Sequence, residues 1–529
     1  MTTYSPMPQK SFVMFVSLLA AMIAVGIWAV VLHEAFEHQR LVAVASVIGV
    51  AALLVPLIRP QKQIAASGAV RVSYWVCAAL LFPWAVLRQY FGKVTVNSVL
   101  FHLNEGVTGG VLDGTVTAFI ASGVLIFAFL YAIYLFLSLS RHANVLLIVA
   151  SACLLMLNPV SHYVSEELSF WVNGPPKSVK DIAVDPVITK TPGQPRNLVI
   201  VYLEGIESTY KHPVFGNVYD PIADLSENAV SFTNINQLPM TGWSVACLVG
   251  SQCGLPTVRR GVRQGFRLES KRSFMPNRIC LGDVLSQQGY QVEMLLGADA
   301  AFGGFEAFLN SHSYDNILDT HYMTRSGATD TGAWGYQDGE VFKTGLARLE
   351  ELEQAGRPYV LSLFTIGPHG PDGFVSKECR TEGIGGSHPD VLIAVECTAR
   401  LARDFVTKAR ELTGPSTLFL ILSDHLAHAM VSASAQLEQF QRRNTVMLIG
   451  ESETREIIEK AGTMIDVYPT VLEALGYELK GRRAGLGVSL FSDVASFGAD
   501  GDQRLARQRL RHDVGFAQWL WSDERNNYD

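Results

Sequence analysis

Glu204 closes a run that is apolar or aromatic from residue 198 to 203, and Asp424 and His425 follow a second such run over residues 418–422, with Ser423 between. A carboxylate at the end of a buried strand is costly unless it is paired or metal-bound. Between the two runs, the string MTGWSVACLVG (residues 240–250) places Thr241 at the predicted start of a helix. Parallel strands of an open α/β sheet deliver their carboxyl ends to one crevice. Glu204, Thr241, Asp424 and His425 are therefore expected to converge. Three oxygen donors and one imidazole suit a divalent cation. The Thr241 hydroxyl is then a candidate nucleophile that such a cation would activate. Ser244, one turn on, is the second candidate, expected to face back into the helix start.

His369 lies in PHGPDGF (residues 368–374), directly after the apolar run YVLSLFTIG. It is a candidate to protonate a leaving alkoxide or to bind a phosphate oxygen at the same crevice. His388 and His428 are weaker candidates for lining the cleft. Each residue also has a plainer reading: Glu204 as a hydrogen-bonded strand end, Asp424 as a turn cap, Thr241 as a helix N-cap, His369 as a loop histidine bonded to backbone. Glu207 is expected to point elsewhere, and Asp372 and Asp466 read as turn or helix carboxylates.

The elements that must position these groups are short β-branched runs alternating with helical periods. LVIVYLE, QVEMLLG, YVLSLFTIG, TLFLILSD and NTVMLIGE are nearly continuous in apolar residues, as strands buried on both faces are. VACLVGSQCG, LGDVLSQQGY, DGEVFKTGLARLEELEQAG, AVECTARLARDFVTKAREL and MIDVYPTVLEALGYEL carry helical periods between them. This alternation predicts a mainly parallel central sheet covered by helices on both faces, over residues 197–495.

The chain of 529 residues is 49% hydrophobic and only 17% charged, with a net charge of −7 and no basic block. That balance argues against a nucleic-acid partner. The apolar excess sits in residues 1–163, where five stretches are long enough to span a bilayer: 11–32, 41–58, 72–87, 116–137 and 143–160. Lys10, Arg59, Lys62, Arg71 and Arg141 fall on one side; Glu34, Glu37, Glu105 and Asp113 fall on the other with Arg40, Arg88 and Lys93. The basic side is cytoplasmic by the positive-inside rule, which places the rest of the chain outside. Residues 164–196 read as a juxtamembrane helix, with Tyr163 and Trp171 at headgroup level, and a Pro-rich linker. Residues 496–529 read as a helical tail whose apolar end docks on the α/β domain. An extracytoplasmic address permits disulfides. Cys379 and Cys397 bracket a Gly-rich loop and form the first candidate pair, Cys253 and Cys280 the second, with Cys247 left open. Cys77 and Cys153 lie in the spans.

The order VYLEGIE, a Thr before a helix, an HxPxGF-like turn, LSDH, then DVYPTVLEALG with GLGVSLF resembles the membrane-anchored phosphoglycerol transferases of the sulfatase/alkaline-phosphatase superfamily. NINQLPMTGWSVACLVGSQCGLP, ICLGDVLSQQGYQVEMLLGA and HGPDGF are most similar to the enzymes acting on periplasmic glucans. The resemblance implies one metal on Glu204, Thr241, Asp424 and His425, with Mn²⁺ first and Mg²⁺ or Zn²⁺ as alternatives. It also implies Thr241 as nucleophile and His369 on the phosphoryl group. The implied reaction moves phosphoglycerol from phosphatidylglycerol to a glycan hydroxyl. The rivals are transfer of phosphoethanolamine, a phosphodiesterase or sulfatase, and a membrane sensor with an inactive domain. The Trp and Arg with which lipoteichoic acid synthases read glycerol would fall near Gly303 and Phe305, so either recognition of the glycerol differs here or the headgroup itself does.

Overall fold

The structure is a computed structural model describing residues 66–91, 115–138, 142–161, 178–258, 273–370, 372–381, 391–428, 431–450, 454–499 and 513–522, with a few single positions between. The first two expected spans, the juxtamembrane helix with Tyr163 and Trp171, and His388 lie outside these residues. The chain divides into two compact units, with the main boundary between residues 168 and 169.

The first unit contains α1 (Gly68–Phe91), α2 (Thr115–Ser138) and α3 (Ala143–Leu157). Tyr74, Cys77, Leu130, Leu147 and Leu154 form their shared core, and the Tyr74 hydroxyl donates to Leu130 O at 2.7 Å. Val72, Val76, Ile120, Val124, Ile148 and Val149 are bare on the outer surface. Among the described residues one helix, over Gly68–Leu87, is long and apolar enough to cross a membrane; Ser122–Ser138 and Ala143–Leu157 are shorter apolar helices.

The second unit is built on an eight-stranded sheet. In chain order its strands are β1 (Asn197–Leu203), β2 (Ala229–Phe232), β3 (Gln291–Leu296), β4 (Asn316–Leu318), β5 (Tyr359–Phe364), β6 (Thr417–Ser423), β7 (Val446–Ile449) and β8 (Glu456–Ile458). Their spatial order is β8-β2-β7-β6-β1-β5-β3-β4. β7 runs antiparallel to both neighbours and the other pairings are parallel. The sheet is thus mainly parallel, with one reversed strand. The five long apolar runs became β1, β3, β5, β6 and β7. The short strands β2, β4 and β8 carried no comparable apolar signal.

The helices around the sheet include α4 (Ser244–Cys253), α5 (Leu281–Gln287), α6 (Asp338–Ala355), α7 (Val391–Thr413), α8 (Val467–Ala474) and α9 (Val514–Trp521). Alternation along each strand sorts the core into two layers. Leu198, Ile200 and Tyr202 of β1, with Leu418, Leu420 and Leu422 of β6, face α4, α5, α8 and α9. Val199, Val201 and Leu203, with Phe419 and Ile421, face α6 and α7. The apolar tail does dock: Phe516, Leu520 and Trp521 are buried in the first layer, and Trp521 Nε1 donates to Val258 O at 2.7 Å. Cys253 is bonded to Cys280 and Cys379 to Cys397, while Cys247 is a buried free thiol.

α4 is the element the site leans on. Every residue from Val245 to Cys253 is buried. Tyr202 ties the helix to β1, its hydroxyl 2.9 Å from Ser251 Oγ and accepting from Gln252 Nε2 at 2.8 Å. Gly254 ends the helix in the left-handed region (φ 65°), and the Ala484 carbonyl fills the space a Cβ would need. Gly254→Ala is therefore expected to destabilise the protein by at least about 1–2 kcal/mol. The readout is a lowered thermal midpoint for the purified protein; an unchanged midpoint would mean that this cap relaxes freely.

Candidate functional site

The register of the sheet places two carboxylates side by side. Leu203 of β1 pairs with Ser423 of β6, so Glu204 and Asp424 leave adjacent parallel strands at the same level. Asp424 N donates to Leu203 O at 3.2 Å. On the other flank of β1, Thr365 follows β5 and its hydroxyl accepts from Glu204 N at 2.9 Å. Glu204, Asp424 and His425 are all buried.

Asp424 uses its two oxygens differently. Oδ1 accepts from Gly205 N at 2.9 Å and from His425 N at 2.7 Å. Oδ2 has no hydrogen-bond partner and lies 3.1 Å from His425 Nε2, which has none either. Glu204 Oε1 is 3.7 Å from that same nitrogen. His425 Nδ1 sits 2.9 Å from Leu426 O. A carbonyl only accepts, so Nδ1 carries the proton and Nε2 presents a lone pair. Burial lowers the His425 pKa to about 4, which keeps the ring neutral. Burial also raises both carboxyls, and for Glu204 the nearby charge of Asp424 adds to the effect. A neutral imidazole lone pair thus faces two buried carboxylates with no positive charge between them. A divalent cation satisfies this arrangement, because it is the one partner all three can share.

His428 joins the group. One ligand atom each from Glu204, His425 and His428 lie within 4.8 Å of one another, and the His425 and His428 rings are 4.2 Å apart. Burial pushes the His428 pKa well down, with the neighbouring histidines contributing. The sequence offered His428 only as a cleft-lining candidate; its nearness to Asp424-His425 in the string SDHLAH was the available signal.

Thr241 does not join the group, which corrects the expectation that its oxygen faces a cation. α4 begins three residues later, at Ser244. Met240 takes a left-handed backbone (φ 69°) and turns the chain so that Thr241 is fully buried. Its hydroxyl donates to Leu238 O at 2.8 Å and accepts from Gln237 Nε2 at 2.7 Å. Its methyl packs against Gly250 inside α4. A hydroxyl that does stand close to both carboxylates is that of Ser244, and its nearness favours the ionised forms of Glu204 and Asp424. Ser244 is half-buried at the first position of α4, where free backbone N–H groups and the helix dipole favour an anion. The apolar run begins at Val245, so the hydroxyl nearest that run was the sequence signal for the helix start.

Several neighbours hold the frame. Gln237 binds Thr241 with its amide nitrogen and accepts from Leu426 N at 3.1 Å with its oxygen. Glu207 does point elsewhere, to Arg442 (Nε–Oε1 2.9 Å) and Ala427 N (2.9 Å). Asp338, at the start of α6, accepts from Ile366 N (2.8 Å), Gly367 N (3.0 Å) and Thr398 Oγ1 (2.5 Å) and so shapes the loop that carries His369. His369 Nδ1 lies 3.2 Å from Gly370 O, leaving Nε2 free of that carbonyl. Its ring is 6.4 Å from that of His428 and 4.3 Å from that of Trp334, and burial lowers its pKa. Asp466 caps Thr463 and accepts from Val488 N at 2.8 Å, as a helix-start carboxylate. Asp338, Gln237 and Trp334 were not singled out in the sequence, because their roles depend on which loops meet.

A family model described as Sulfatase matches residues 196–477. Phosphoglycerol transferase I of Xanthomonas axonopodis pv. citri (strain 306) is 30% identical over 346 residues, covering 63% of this chain and 49% of that protein. Phosphoglycerol transferase I of Escherichia coli O6:K15:H31 (strain 536 / UPEC) is 31% identical over 298 residues, covering 54% and 38%. The chain thus matches about half or less of the length of these curated relatives. A solved alkaline phosphatase superfamily protein from Vibrio parahaemolyticus is similar at 18% identity with a TM-score of 0.49, covering 65% of this chain and 92% of that one. The match over residues 196–477 spans the sheet and its carboxyl-edge cluster alike, and the chain belongs to the sulfatase family.

Proposed function

We propose that the protein is a membrane-tethered phosphotransferase, with Ser244 as its nucleophile, that moves phosphoglycerol from a phosphatidylglycerol-type lipid to a glycan hydroxyl in the periplasm. The observation that carries this reading is the Ser244 hydroxyl at the start of α4, close enough to Glu204 and Asp424 to favour the ionised form of both. The curated relatives named phosphoglycerol transferase I support the choice of transferred group.

Ser244 Oγ attacks the lipid phosphorus. The Oγ–P bond forms, the bond from phosphorus to the diacylglycerol oxygen breaks, and a phosphoglyceryl-Ser244 ester remains. The serine proton ends on the leaving diacylglycerol oxygen, with His369 Nε2 as the relay. An acceptor hydroxyl then attacks the same phosphorus, and its proton returns to Ser244 Oγ as the ester bond breaks. Glu204, Asp424, His425 and the Ser244 hydroxyl would hold one divalent cation, with His428 able to add a second nitrogen. When bound, that ion supplies charge neutralisation at phosphate and a lowered hydroxyl pKa. Two imidazoles beside two carboxylates suit Mn²⁺ or Zn²⁺ better than Mg²⁺. Thr241 acts through structure instead, fixing the turn that starts α4.

A tether has a physical reason: a diacyl lipid stays in its bilayer, so the site must be held beside it. Helix α1, and the further apolar stretches in residues 1–163, suit an inner-membrane anchor with the second unit outside. Sulfate-ester hydrolysis is disfavoured by the residues after Ser244. The formylglycine string (Ser or Cys)-x-Pro-x-Arg would need Pro at 246 and Arg at 248, and Ala246 and Leu248 stand there.

Two experiments test this. After exposure to phosphatidylglycerol, the peptide carrying Ser244 should gain the mass of a phosphoglyceryl group. Ser244→Ala should form no adduct and lose transfer by about 10³-fold or more, while Thr241→Ser keeps the adduct. An adduct on Thr241, or an active Ser244→Ala protein, overturns the assignment, and a phosphoethanolamine adduct from phosphatidylethanolamine alone would replace the donor. Separately, the wild-type protein should hold one divalent ion per chain by elemental analysis. Asp424→Asn and His425→Ala should each reduce occupancy by about tenfold or more with unchanged circular dichroism; full occupancy in both would show that the cluster is not the metal site.

A further inference from the structure

Trp334 sits at the tip of a short hairpin whose arms are Thr331–Gly332 and Gly335–Tyr336. The hairpin is locked in place. Gly335 has φ 132°, and its Cα lies so close to the Gly297 carbonyl that no Cβ would fit. Tyr336 N donates to Gly297 O at 2.8 Å. Gln337 N donates to Asp330 O at 2.9 Å just beyond the second arm, and Asp330 is itself paired with Arg380 at 3.0 Å. The result is a half-buried indole held rigidly over His369, with ring centroids 4.3 Å apart and Phe302 edge-on at 5.6 Å.

The loop that brings Phe302 also brings Asp299, whose backbone carbonyl accepts from Phe302 N at 3.1 Å. Asp299 follows β3 and Asp319 follows β4, so both stand at the carboxyl edge of the sheet. One ligand atom each from Asp299, Asp319 and His321 lie within 4.8 Å of one another, on a partly exposed surface. Gly335 of the hairpin abuts Gly297 and Ala298, so the arm next to Trp334 packs on the loop that carries Asp299, and an aromatic side chain in the same loop cluster as carboxylate acceptors suits a neutral polyol. The C–H face of a sugar ring packs on indole while its hydroxyls donate to carboxylates. The same carboxylates repel a phosphate-bearing headgroup.

Deepening the transferase reading on which it rests, we propose that Trp334 and Phe302, with Asp299 and Asp319, form the subsite that seats a neutral pyranose of the acceptor glycan. The sugar's hydroxyl is thereby presented to the phosphorus on Ser244, beside His369. The proposal distinguishes two polyols that could lie against the indole: the acceptor sugar and the glycerol of the transferred group.

The test measures binding without turnover. In full-length Ser244→Ala protein, affinities are measured by titration for a panel of neutral glucose trisaccharides of different linkage, and for glycerol 1-phosphate. At least one trisaccharide should bind. Adding Trp334→Ala should weaken it by about tenfold or more, and Trp334→Phe by less than about threefold, since the smaller ring keeps a stacking face. Asp319→Asn should weaken it by about threefold or more through the lost charged acceptor, which keeps the proposal testable if Trp334→Ala folds poorly. Glycerol 1-phosphate affinity should stay within about twofold in each. A loss confined to glycerol 1-phosphate assigns the indole to the donor and overturns the proposal. Unchanged trisaccharide affinity, equal losses for both ligands, or no trisaccharide binding at all overturns it too. Because no chemical step is measured, sugar binding that survives a failed adduct experiment would remove the donor reading and leave this subsite standing.

Discussion

The second unit is organised around one electrostatic problem. β1 and β6 run parallel and in register, and each ends in a carboxylate that the sheet delivers to a buried level. A neutral imidazole completes the group with its lone pair turned inward. Left uncompensated, three acceptors at such distances repel one another and have lost their water. The raised carboxyls and the lowered histidine express the same fact. The cost is borne by the rest of the fold: continuous apolar strands on both faces and an α4 buried from Val245 to Cys253 hold the groups where they would not settle alone. Storing unfavourable electrostatics where the proposed reaction would bring a cation and a phosphate is a form of preorganisation.

The same molecule supplies the contrast. Among the described residues, three other buried carboxylates are paired with a cationic side chain. Glu207 has Arg442, Glu293 has Arg348 at 2.7 Å, and Glu340 has Lys377 at 2.7 Å. Asp338 and Asp466 lack a cationic side chain at bonding distance and instead collect backbone N–H groups and hydroxyls on their oxygens. Asp424 follows that pattern on one oxygen and departs from it on the other, which faces His425 Nε2 with no donor. The departure is local to the carboxyl edge of β6, beside the one hydroxyl that opens α4.

Much of this was legible in the residue order because the sheet's central strands are buried on both faces. Strands of that kind read as unbroken apolar runs, and a polar residue at the end of such a run is conspicuous. Glu204, Asp424 and His425 stood out for that reason, and the alternation with helical periods gave the layered architecture. What was not legible depended on backbone detail or on distant loops meeting. A left-handed Met240 turns Thr241 inward and leaves the place at the helix start to the half-buried Ser244; nothing in MTGWSVA announces a positive φ at methionine. β7 has the composition of a parallel core strand, yet it returns directly from β6 and pairs antiparallel. β2, β4 and β8 are too short to carry a period. Asp338, Gln237 and Trp334 act on loops far from them in sequence, and single-residue chemistry does not reveal such pairings.

Thr241 shows how a misplaced residue can still belong to the proposed mechanism. Gln237 holds the Thr241 hydroxyl and carbonyl with one end and Leu426 N, next to His425, with the other. The turn that launches α4 and the loop that carries His425 are thereby joined through one amide. A shift of that turn would move Ser244 relative to Glu204 and Asp424, and displacements well under a bond length matter where a nucleophile must meet phosphorus in line. The threonine therefore sets where the serine stands, by means of a hydroxyl that never needs to reach the substrate.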